Sequence, residues 1–418
     1  MIGLKPLKKQ SRLSFEYSYF IRYIFIIQIV SVIIILLCNS CNSDIENSSI
    51  NLMDNQDVSI SDVFEEVRIV ELENTEGSLV AQISQVVYYG EKFYVLDSKQ
   101  QKIFCFDKTG KFISTISQQG QGPGEYVYVS SIALDDYNKH LVFLSPPTQQ
   151  LLVFDLDGNF LKKLNVSTES VMGLNKVFTL NNSIYLLTSL TENQLVFFDG
   201  NKKTVIKKDF PLPVLIPQLI PLFNTYQLNG RTFVNPALSQ VVLEVTEKEN
   251  RLHYSFDYGL LNNTDRQISV LQNFFRDSPD IHSQRRHELI RSDGYLNHKL
   301  IKVMESNRFI IKLVAIENSI KHVIIDKTLD ETFVFDFFKE DIVINMHFDI
   351  HQERYLIAYE ARNFRDEESN KEFFGPWYPF YKADYFNKSI LREEDVLFID
   401  QHNPMTDNPF LVVYTFKE

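Results

Sequence analysis

Residues 93–116 read FYVLDSKQQKIFCFDKTGKFISTI, and residues 141–164 read LVFLSPPTQQLLVFDLDGNFLKKL. Each copy consists of an aromatic-rich strand, a polar turn, a second strand that ends in Asp, and a Gly-containing turn into a third strand. The segment GQGPGEY, residues 120–126, lies between the two copies. Strands that repeat at a fixed period are typical of closed repeat folds, so this pattern decides the fold prediction.

Short motifs of the same kind recur along the rest of the chain. Successive motifs are 48, 43, 48, 77 and 47 residues apart, and they begin at Phe93, Leu141, Ile184, Thr232, Phe309 and Leu356. Four of the five spacings match the roughly 40–50 residues of a four-stranded propeller blade. We therefore predict an all-β fold, a six-bladed β-propeller of four-stranded antiparallel blades, for residues 62–418.

Two further features extend this prediction. The longest spacing contains a polar segment, Thr264–Lys299, whose apolar pattern predicts a helical insertion. A propeller ring closes when strands from both chain ends share one blade, which protects the sheet edges. We expect the strand at Val67–Leu72 to complete a blade with two C-terminal strands, DVLFID from Asp395 and NPFLVVYTF from Asn408.

The N-terminus predicts export and membrane attachment. Basic residues precede a 14-residue apolar run, Ile24–Leu37, which is shorter than a span of roughly 20 residues but typical of a signal peptide. The following CNSCNSD, with Ser40 before Cys41, resembles a bacterial lipoprotein signal. We predict a signal peptide over residues 1–40, lipid on Cys41 and a flexible tether over residues 41–61. Cleavage before Cys38, an uncleaved anchor and unmodified cysteines are the alternatives.

Charge and cysteine content restrict the possible partners. The net charge of −12 argues against nucleic acid, because nucleic-acid affinity comes largely from Lys and Arg that displace counterions. If Cys41 carries lipid, Cys105 is the cysteine left in the mature chain. Its position in the alternating run KIFCFD predicts a buried structural thiol rather than a nucleophile. No cofactor is expected.

The stretch Gly120–Leu161 resembles the NHL-type repeat, and more closely the six-bladed β-propeller lipoproteins found mainly in Bacteroidetes. The shared features are the G-x-G-P-G-E-[YF] loop, a short Asp-containing strand and the F-D-x-x-G turn. The likeness is good over Val67–Leu164, and the later repeats lack the Gly-rich loop. It implies a lipid-anchored protein of the cell envelope, on the periplasmic or surface face. It does not choose among enzymes, sugar binders, peptide binders and assembly platforms.

The most motif-like residues are predicted to be structural. The Gly-rich loop lacks the Lys-Ser/Thr pair of a phosphate-binding loop and is flanked by strands, so it is predicted to connect blades, with Glu125 capping backbone amides. Asp and Gly at the other two sites indicate hairpin turns. The residues concerned are Gly120, Gly122, Pro123, Gly124 and Glu125 in the loop, and Asp107, Gly110, Asp155 and Gly158 in the turns.

Three segments are candidates for binding. The basic part of the insertion could contact an anion, an acidic glycan or an acidic partner, or be a solvated helix face. The aromatic segment Phe364–Phe386, predicted to be a loop, could stack on sugars, contact a protein or plug the propeller. His347 and His351 would share one strand face and are weak metal-site candidates. The candidate binding residues are Arg285, Arg286, His287, Trp377, Tyr378 and Tyr381.

The sequence contains no G-x-S-x-G motif and no pattern of a nucleophilic Cys with a positioned His. We therefore predict a noncatalytic envelope lipoprotein whose propeller binds a glycan, a peptide or a neighbouring envelope protein. Two alternatives stay open. One is an envelope lyase or hydrolase with its active site at the central channel, and the other is a structural subunit of an envelope complex.

Overall fold

The structure is a computed structural model. The chain divides into two units, residues 1–48 and residues 49–418, and every described residue belongs to the second. The described residues are 49–116, 119–166, 173–189, 193–211, 224–236, 239–259, 269, 298–316, 319–336, 338–340, 364–365, 372–375, 388–403 and 406–417.

The second unit is a β-propeller of four-stranded antiparallel blades. A short helix, α1 (Ile60–Val63), leads into the first strand, β1 (Phe64–Val70). Blade 1 consists of β2 (Ile83–Tyr89), β3 (Lys92–Asp97), β4 (Lys102–Asp107) and β5 (Phe112–Ile116). Blade 2 consists of β6 (Ser131–Asp135), β7 (His140–Ser145), β8 (Gln150–Asp155) and β9 (Phe160–Asn165).

Blades 3 to 5 have the same strand order. Blade 3 consists of β10 (Leu174–Asn181), β11 (Ile184–Ser189), β12 (Asn193–Asp199) and β13 (Thr204–Pro211). Blade 4 consists of β14 (Asn224–Leu228), β15 (Arg231–Asn235), β16 (Val241–Val245) and β17 (Asn250–Ser255). Blade 5 consists of β18 (His298–Glu305), β19 (Phe309–Ile316), β20 (Ser319–Asp326) and β21 (Glu331–Phe335).

One further four-stranded sheet, the shared sheet, combines both ends of the propeller. Its strands, in order, are β1, β24 (Leu411–Phe416), β23 (Glu372–Gly375) and β22 (Phe364–Arg365). β1 runs antiparallel to β24, with Val67 opposite Tyr414. The predicted pairing of the N-terminal strand is therefore confirmed for NPFLVVYTF and not for DVLFID.

The repeat count differs from the prediction of six blades. Five of the six sequence motifs lie in the second strands of blades 1 to 5, namely β3, β7, β11, β15 and β19. The motif at Leu356 lies outside the described residues. Five blades are thus built from consecutive strands, and the shared sheet is a composite rather than a sixth repeat.

Apolar clusters fill the spaces between neighbouring sheets, as radial packing of blades requires. Between blades 1 and 2, Phe143 and Phe154 stack with their ring centroids 4.5 Å apart. Phe309 of blade 5 packs in one cluster with Phe416 of the shared sheet. Val413 of the shared sheet packs in another with blade 1. Because six such clusters link the sheets in cyclic order, the apolar core runs around the ring.

Residues 50–59, called the N-terminal strap below, lie against blades 4 and 5. The Ile50 amide donates to the carbonyl of Asp257 at 2.7 Å, and the Gln56 amide donates to the carbonyl of Val334 at 2.8 Å. Leu52 is buried in the cluster between these blades. The prediction of a flexible tether over residues 41–61 is therefore wrong for its second half, because apolar side chains in that half bury against the propeller.

The C-terminal segment also differs from the prediction. DVLFID, predicted to be a strand, lies in helix α2 (Glu393–Gln401). Three acidic residues in the first turn favour a helix N-terminus, and Asp395 and Ile399, one turn apart, are both buried. The aromatic segment predicted to be a loop contains β22 and β23.

Two remaining fold predictions have different outcomes. The predicted helical insertion lies almost entirely outside the described residues, and its last two residues, His298 and Lys299, begin β18. Cys105 is buried in β4, as predicted, and burial raises the pKa of its thiol to about 11. A thiol with this pKa is almost entirely protonated at neutral pH and hence a poor nucleophile.

Candidate functional site

Most residues predicted to bind lipid, ligand or metal lie outside the described residues, and their roles stay predictions. They are Cys41 with its alternative Cys38, Arg285, Arg286, His287, His347, His351, Trp377, Tyr378 and Tyr381. The residues of the Gly-rich loop and of the two turns are described.

The Gly-rich loop connects β5 of blade 1 to β6 of blade 2. A carboxylate oxygen of Glu125 accepts from the Gly122 amide at 2.8 Å, and the Gly120 amide donates to the Tyr126 carbonyl at 3.0 Å. The Tyr126 hydroxyl donates to the carbonyl of Gln101 in blade 1 at 2.9 Å. These bonds fix the loop to itself and to the preceding blade, which is the geometry of a joint between blades.

Steric contacts explain the glycines of the loop. Gly124 has φ +82°, and a Cβ there would lie 2.6 Å from the ring of Phe160. A Cβ on Gly120 would lie 1.9 Å from the carboxylate of Glu125. The approach to Phe160 therefore requires a residue without a side chain at Gly124, whereas a side chain at Gly120 would displace the Glu125 carboxylate from its bond to Gly122.

The two Asp-Gly turns have the same bonding pattern. One carboxylate oxygen of Asp107 accepts from the amides of Thr109 and Lys111, and Asp155 accepts in the same way from Asp157 and Asn159. Burial works to raise the pKa of both carboxyls, but these hydrogen bonds outweigh it and hold each pKa below its ordinary value. The carboxylates thus hold the turns.

The first strands of neighbouring blades are tied by polar side chains. Gln85 of β2 donates to the Ile132 carbonyl of β6 at 2.5 Å and accepts from the Ile132 amide at 2.9 Å. Thr179 of β10 donates to the Leu134 carbonyl of β6, and Gln227 of β14 donates to the Thr179 carbonyl. Polar residues on these strands therefore link successive blades from 1 to 4.

A second polar cluster lies between blades 4 and 5 and was not predicted from the sequence. Its centre is Glu305, at the end of β18, whose side chain is 1% exposed. Its carboxylate accepts from the Tyr226 hydroxyl at 2.7 Å, binds His253 Nε2 at 2.9 Å and accepts from Lys327 Nζ at 2.8 Å. Tyr226 and His253 belong to blade 4, so the carboxylate joins the two blades.

Charge stabilises this buried carboxylate. Burial works to raise the pKa of Glu305, but the hydrogen bond from His253 and the charge of Lys327 outweigh it and hold the pKa below its ordinary value. Arg231 lies close by and binds Glu244 through Nε at 2.8 Å, with its guanidinium over the ring of Phe233. The group Arg231, Glu244, His253, Glu305 and Lys327 is called the blade 4–5 cluster below.

The cluster lies at one end of the two blades. Arg231, Glu244 and Glu305 stand at strand ends next to the turns β14–β15, β16–β17 and β18–β19, and Lys327 lies in the turn β20–β21. Asn229 and Asn307, in two of these turns, are hydrogen-bonded to each other at 3.1 Å. We call this end the turn face of blades 4 and 5.

A buried lysine lies deeper between the same blades. Lys312 of β19 is fully buried, with its ammonium nitrogen over the ring of Phe256 and bonded to the hydroxyl of Tyr258. Burial lowers the pKa of this amine well below its ordinary value. It therefore contributes to packing between blades rather than to the surface.

The sequence matches a family model, described as a domain of unknown function (DUF4934), over residues 45–415. The chain belongs to this family. The match begins within the segment predicted to be a tether, close to the point where the N-terminal strap joins the propeller. The DUF4934 domain thus contains both the strap and the shared sheet.

Two solved structures are similar in fold to this chain. A protein of Bacteroides fragilis, described as a candidate exported protein, is 16% identical with a TM-score of 0.65, and the match covers 87% of this chain and 98% of that one. A DUF4221 member from Bacteroides vulgatus is 11% identical with a TM-score of 0.51, covering 85% and 97%. No functionally curated protein matches the sequence.

The described part of the DUF4934 domain lacks two kinds of feature. No group of three or more His, Cys, Asp or Glu side chains in it is placed to hold a metal ion. No helix in the same part is both long and apolar enough to cross a membrane.

The blade 4–5 cluster had weak sequence signals. Glu305 ends an alternating strand, Tyr226 is 79 residues away along the chain, and His253 is 52 residues away. No local motif joins residues at such separations. One signal was available, namely ionisable residues at positions of apolar strands that face inward. Charged side chains are rarely buried without a partner, so such positions indicate buried ion pairs.

Proposed function

We propose that this protein is an envelope-anchored, noncatalytic binding module. In this proposal a signal peptide is removed, Cys41 carries lipid, and the shared sheet serves as the sixth blade of a closed ring. The ring presents one end to a ligand, which is a glycan, a peptide or a neighbouring envelope protein.

The observation that carries the proposal is where the N-terminal strap meets the ring. Ile50 is bonded to Asp257, which follows β17 at the end of blade 4 opposite to the turn face. Gln56 then pairs with Val334 on β21, the outermost strand of blade 5. The strap therefore meets the ring at the end opposite the turn face.

The number of residues between Cys41 and Ile50 limits the distance between a lipid on Cys41 and the propeller. Cys41 precedes Ile50 by nine residues, and a fully extended chain spans at most about 3.5 Å per residue. The propeller is thus held within about 30 Å of a lipid on Cys41. The similarity to a candidate exported protein supports an envelope location.

Metabolic labelling with an alkyne fatty acid tests the anchor. We expect the wild-type protein and the Cys38→Ala variant to incorporate the label, and the Cys41→Ala variant to lose it. Equal labelling of the Cys41→Ala variant would exclude attachment at this residue.

Capture from gently solubilised membranes tests the binding function. A binding module should return a ligand at substoichiometric and saturable levels, and soluble glycan or peptide fractions should compete for it. Stoichiometric recovery of the same proteins, unaffected by competitors, would instead indicate a structural subunit. Consumption of a glycan during incubation would indicate an enzyme.

A further inference from the structure

We propose that Asn229, in the turn between β14 and β15, is a site of spontaneous covalent modification. The backbone nitrogen of Gly230 attacks the side-chain amide of Asn229, ammonia is released, and water converts the residue to isoaspartate or aspartate. This inference goes beyond the proposed binding function and does not depend on it. The sequence, the backbone conformation and the hydrogen bonding of this turn all support it.

This turn leaves the backbone nitrogen of Gly230 open to reaction. Leu228 pairs with Arg231 across a two-residue hairpin turn. Asn229 and Gly230 form the turn with φ angles of +52° and +70°, and both are exposed. A Cβ on Gly230 would have no atom of a non-neighbouring residue within 4 Å. Within the described part of the chain, the Gly230 amide donates no hydrogen bond, so no acceptor holds it away from the Asn229 side chain.

Comparable turns hold their glycine nitrogen by a hydrogen bond. Asn-Gly occurs once in the sequence, whereas Asp-Gly, which can cyclise by the same route, occurs three times, twice within the described residues. In one of these two pairs, the Gly158 amide donates to the Asp155 carbonyl at 3.1 Å. In the other, the Gly200 amide donates to the Ser183 carbonyl at 2.8 Å. Among the described pairs, the turn at Asn229 is therefore the one with an unrestrained nitrogen.

The reaction needs no co-reactant besides water. The Gly230 nitrogen forms a bond to Cγ of Asn229 and passes its proton to solvent. The bond between Cγ and Nδ2 breaks, and Nδ2 leaves as ammonia with a proton taken from solvent. A five-membered succinimide ring remains. Water then adds to one of its two carbonyl carbons and breaks the bond from that carbon to the Gly230 nitrogen. Addition at the main-chain carbon gives isoaspartate, and addition at Cγ gives aspartate, without oxidation or reduction.

Modification would weaken the contact between the turns of blades 4 and 5. The Asn229 side-chain nitrogen donates to Oδ1 of Asn307 at 3.1 Å, and a carboxylate has no N–H for this bond. Its negative charge would also stand on a face that carries several exposed acidic residues, which are Glu247, Glu249, Asp330 and Glu331. Isoaspartate further adds a methylene to the main chain of a two-residue turn, which disturbs the register of β14 and β15.

Peptide mass spectrometry of the full mature protein, kept folded in mildly alkaline buffer, tests the inference. We expect the peptide that contains Asn229 to gain about 1 Da, because an NH₂ group is replaced by OH. Isoaspartate methyltransferase should label the product. Asn182 is the internal control, because it is exposed in the corresponding two-residue turn of blade 3 and is followed by Ser183, with φ +64°. We expect Asn182 to keep its mass, because the Ser183 side chain hinders attack.

Gly230→Ala is the matched variant. The open space around Gly230 accommodates a methyl group, and this methyl group hinders attack by the adjacent nitrogen. We expect the variant to lose the mass gain at Asn229 over the same interval, and thermal unfolding confirms that it is folded. Asn229→Asp carries the charge of one product from the start. Its unfolding temperature should lie below that of fresh wild-type protein, and aged wild-type protein should shift toward it.

Several outcomes would overturn the inference. These are an unchanged mass at Asn229 in the aged, folded protein, an equal mass gain at Asn182, or a mass gain in the folded Gly230→Ala variant that matches the wild type. Conversion that occurs only in urea would show that the folded turn protects Asn229, and it would overturn the inference as well. Capture of a ligand from membranes tests the proposed function separately, whichever of these results is obtained.

Discussion

Neighbouring blades are held together in different ways at the joint between blades 1 and 2 and at the contact between blades 4 and 5. At the first joint, backbone amides, a Gly-rich loop and one Glu make bonds between residues close in sequence. At the second, Glu305 gathers donors from two blades, and the N-terminal strap adds bonds from 200 or more residues away. The first contact combines this local loop with the bonds from Gln85 to Ile132, 47 residues away, whereas the second depends on distant side chains and the strap.

This difference explains why the repeat is visible in one place and faint in the other. Positive φ angles and near-contact of backbone with neighbouring groups permit few residues besides glycine. An ion pair between two strands can be made by several residue combinations at several positions. The choice of residues is therefore narrow in the Gly-rich joint between blades 1 and 2, and it is wider in the contact between blades 4 and 5.

Glycine substitution gives the largest expected effect on this comparison. Gly110 has φ +89°, and a Cβ there would lie 1.7 Å from the Glu71 carbonyl oxygen, whereas Gly90 has φ +57° with open space around it. We expect Gly110→Ala to lower the free energy of unfolding by about 4 kcal/mol or to prevent folding, and Gly90→Ala to lower it by about 1 kcal/mol. Urea unfolding followed by circular dichroism measures both.

Both variants replace a glycine by alanine at a positive φ angle, so the steric contact with Glu71 is what distinguishes Gly110 from Gly90. Equal losses in the two variants would show that the left-handed conformation alone, and not the approach to Glu71, restricts Gly110.

Removal of the Glu305 charge tests the side-chain contact. We expect Glu305→Gln to lower the free energy of unfolding by about 3 kcal/mol, because Lys327 and His253 lose a buried anion. Glu91→Gln, in the exposed pair with Lys108 in blade 1, should cost less than about 0.5 kcal/mol. Urea unfolding at pH 7 measures the difference.

The difference in the free energy of unfolding between the wild type and Glu305→Gln should depend on pH. Because the pKa of Glu305 is lowered on folding, its contribution is present above its ordinary pKa of about 4.5 and is lost as pH falls through the lowered value. The stability gap between the wild type and Glu305→Gln should therefore close in acid. A gap that stays constant down to pH 3 would contradict an ionic role.

Acid should weaken blade 5 through a second group, His322, as well. Burial lowers the pKa of His322 in β20 to about 4, while its Nδ1 bonds the Asp336 carbonyl at 2.8 Å. The unfolded chain takes up a proton near pH 6.5, so stability is full above that pH and declines by about 3 kcal/mol as pH falls to 4.

Unfolding of wild type and His322→Phe between pH 4 and pH 7 measures this effect. The variant should lose less stability over that interval because it lacks the titrating group. Parallel pH profiles would show that His322 is already accessible to protons in the folded state, which the packing of its ring against Phe335 argues against.

The sequence predicted the parts of the fold that follow from local rules. The second strands of five blades and the turns at Asp107 and Asp155 have short-range signals, and the pairing of β1 with the C-terminal strand was predicted from the closure of a propeller ring. The tether and the DVLFID segment were misjudged because their structure depends on partners. Residues 50–59 are ordered by blades 4 and 5, and Asp395 accepts from the Ile69 amide 326 residues away.

The sequence by itself determined a propeller of four-stranded blades and placed the clearest repeat in residues 93–164, because alternation and turn residues act over a few positions. Only the tertiary structure decided that DVLFID is a helix rather than a strand of the shared sheet, that the strap runs to the end opposite the turn face, and that Arg231, His253, Glu305 and Lys327 meet. Those contacts join residues from separate segments of the chain, and spacing along the sequence does not give the distance between such residues in space.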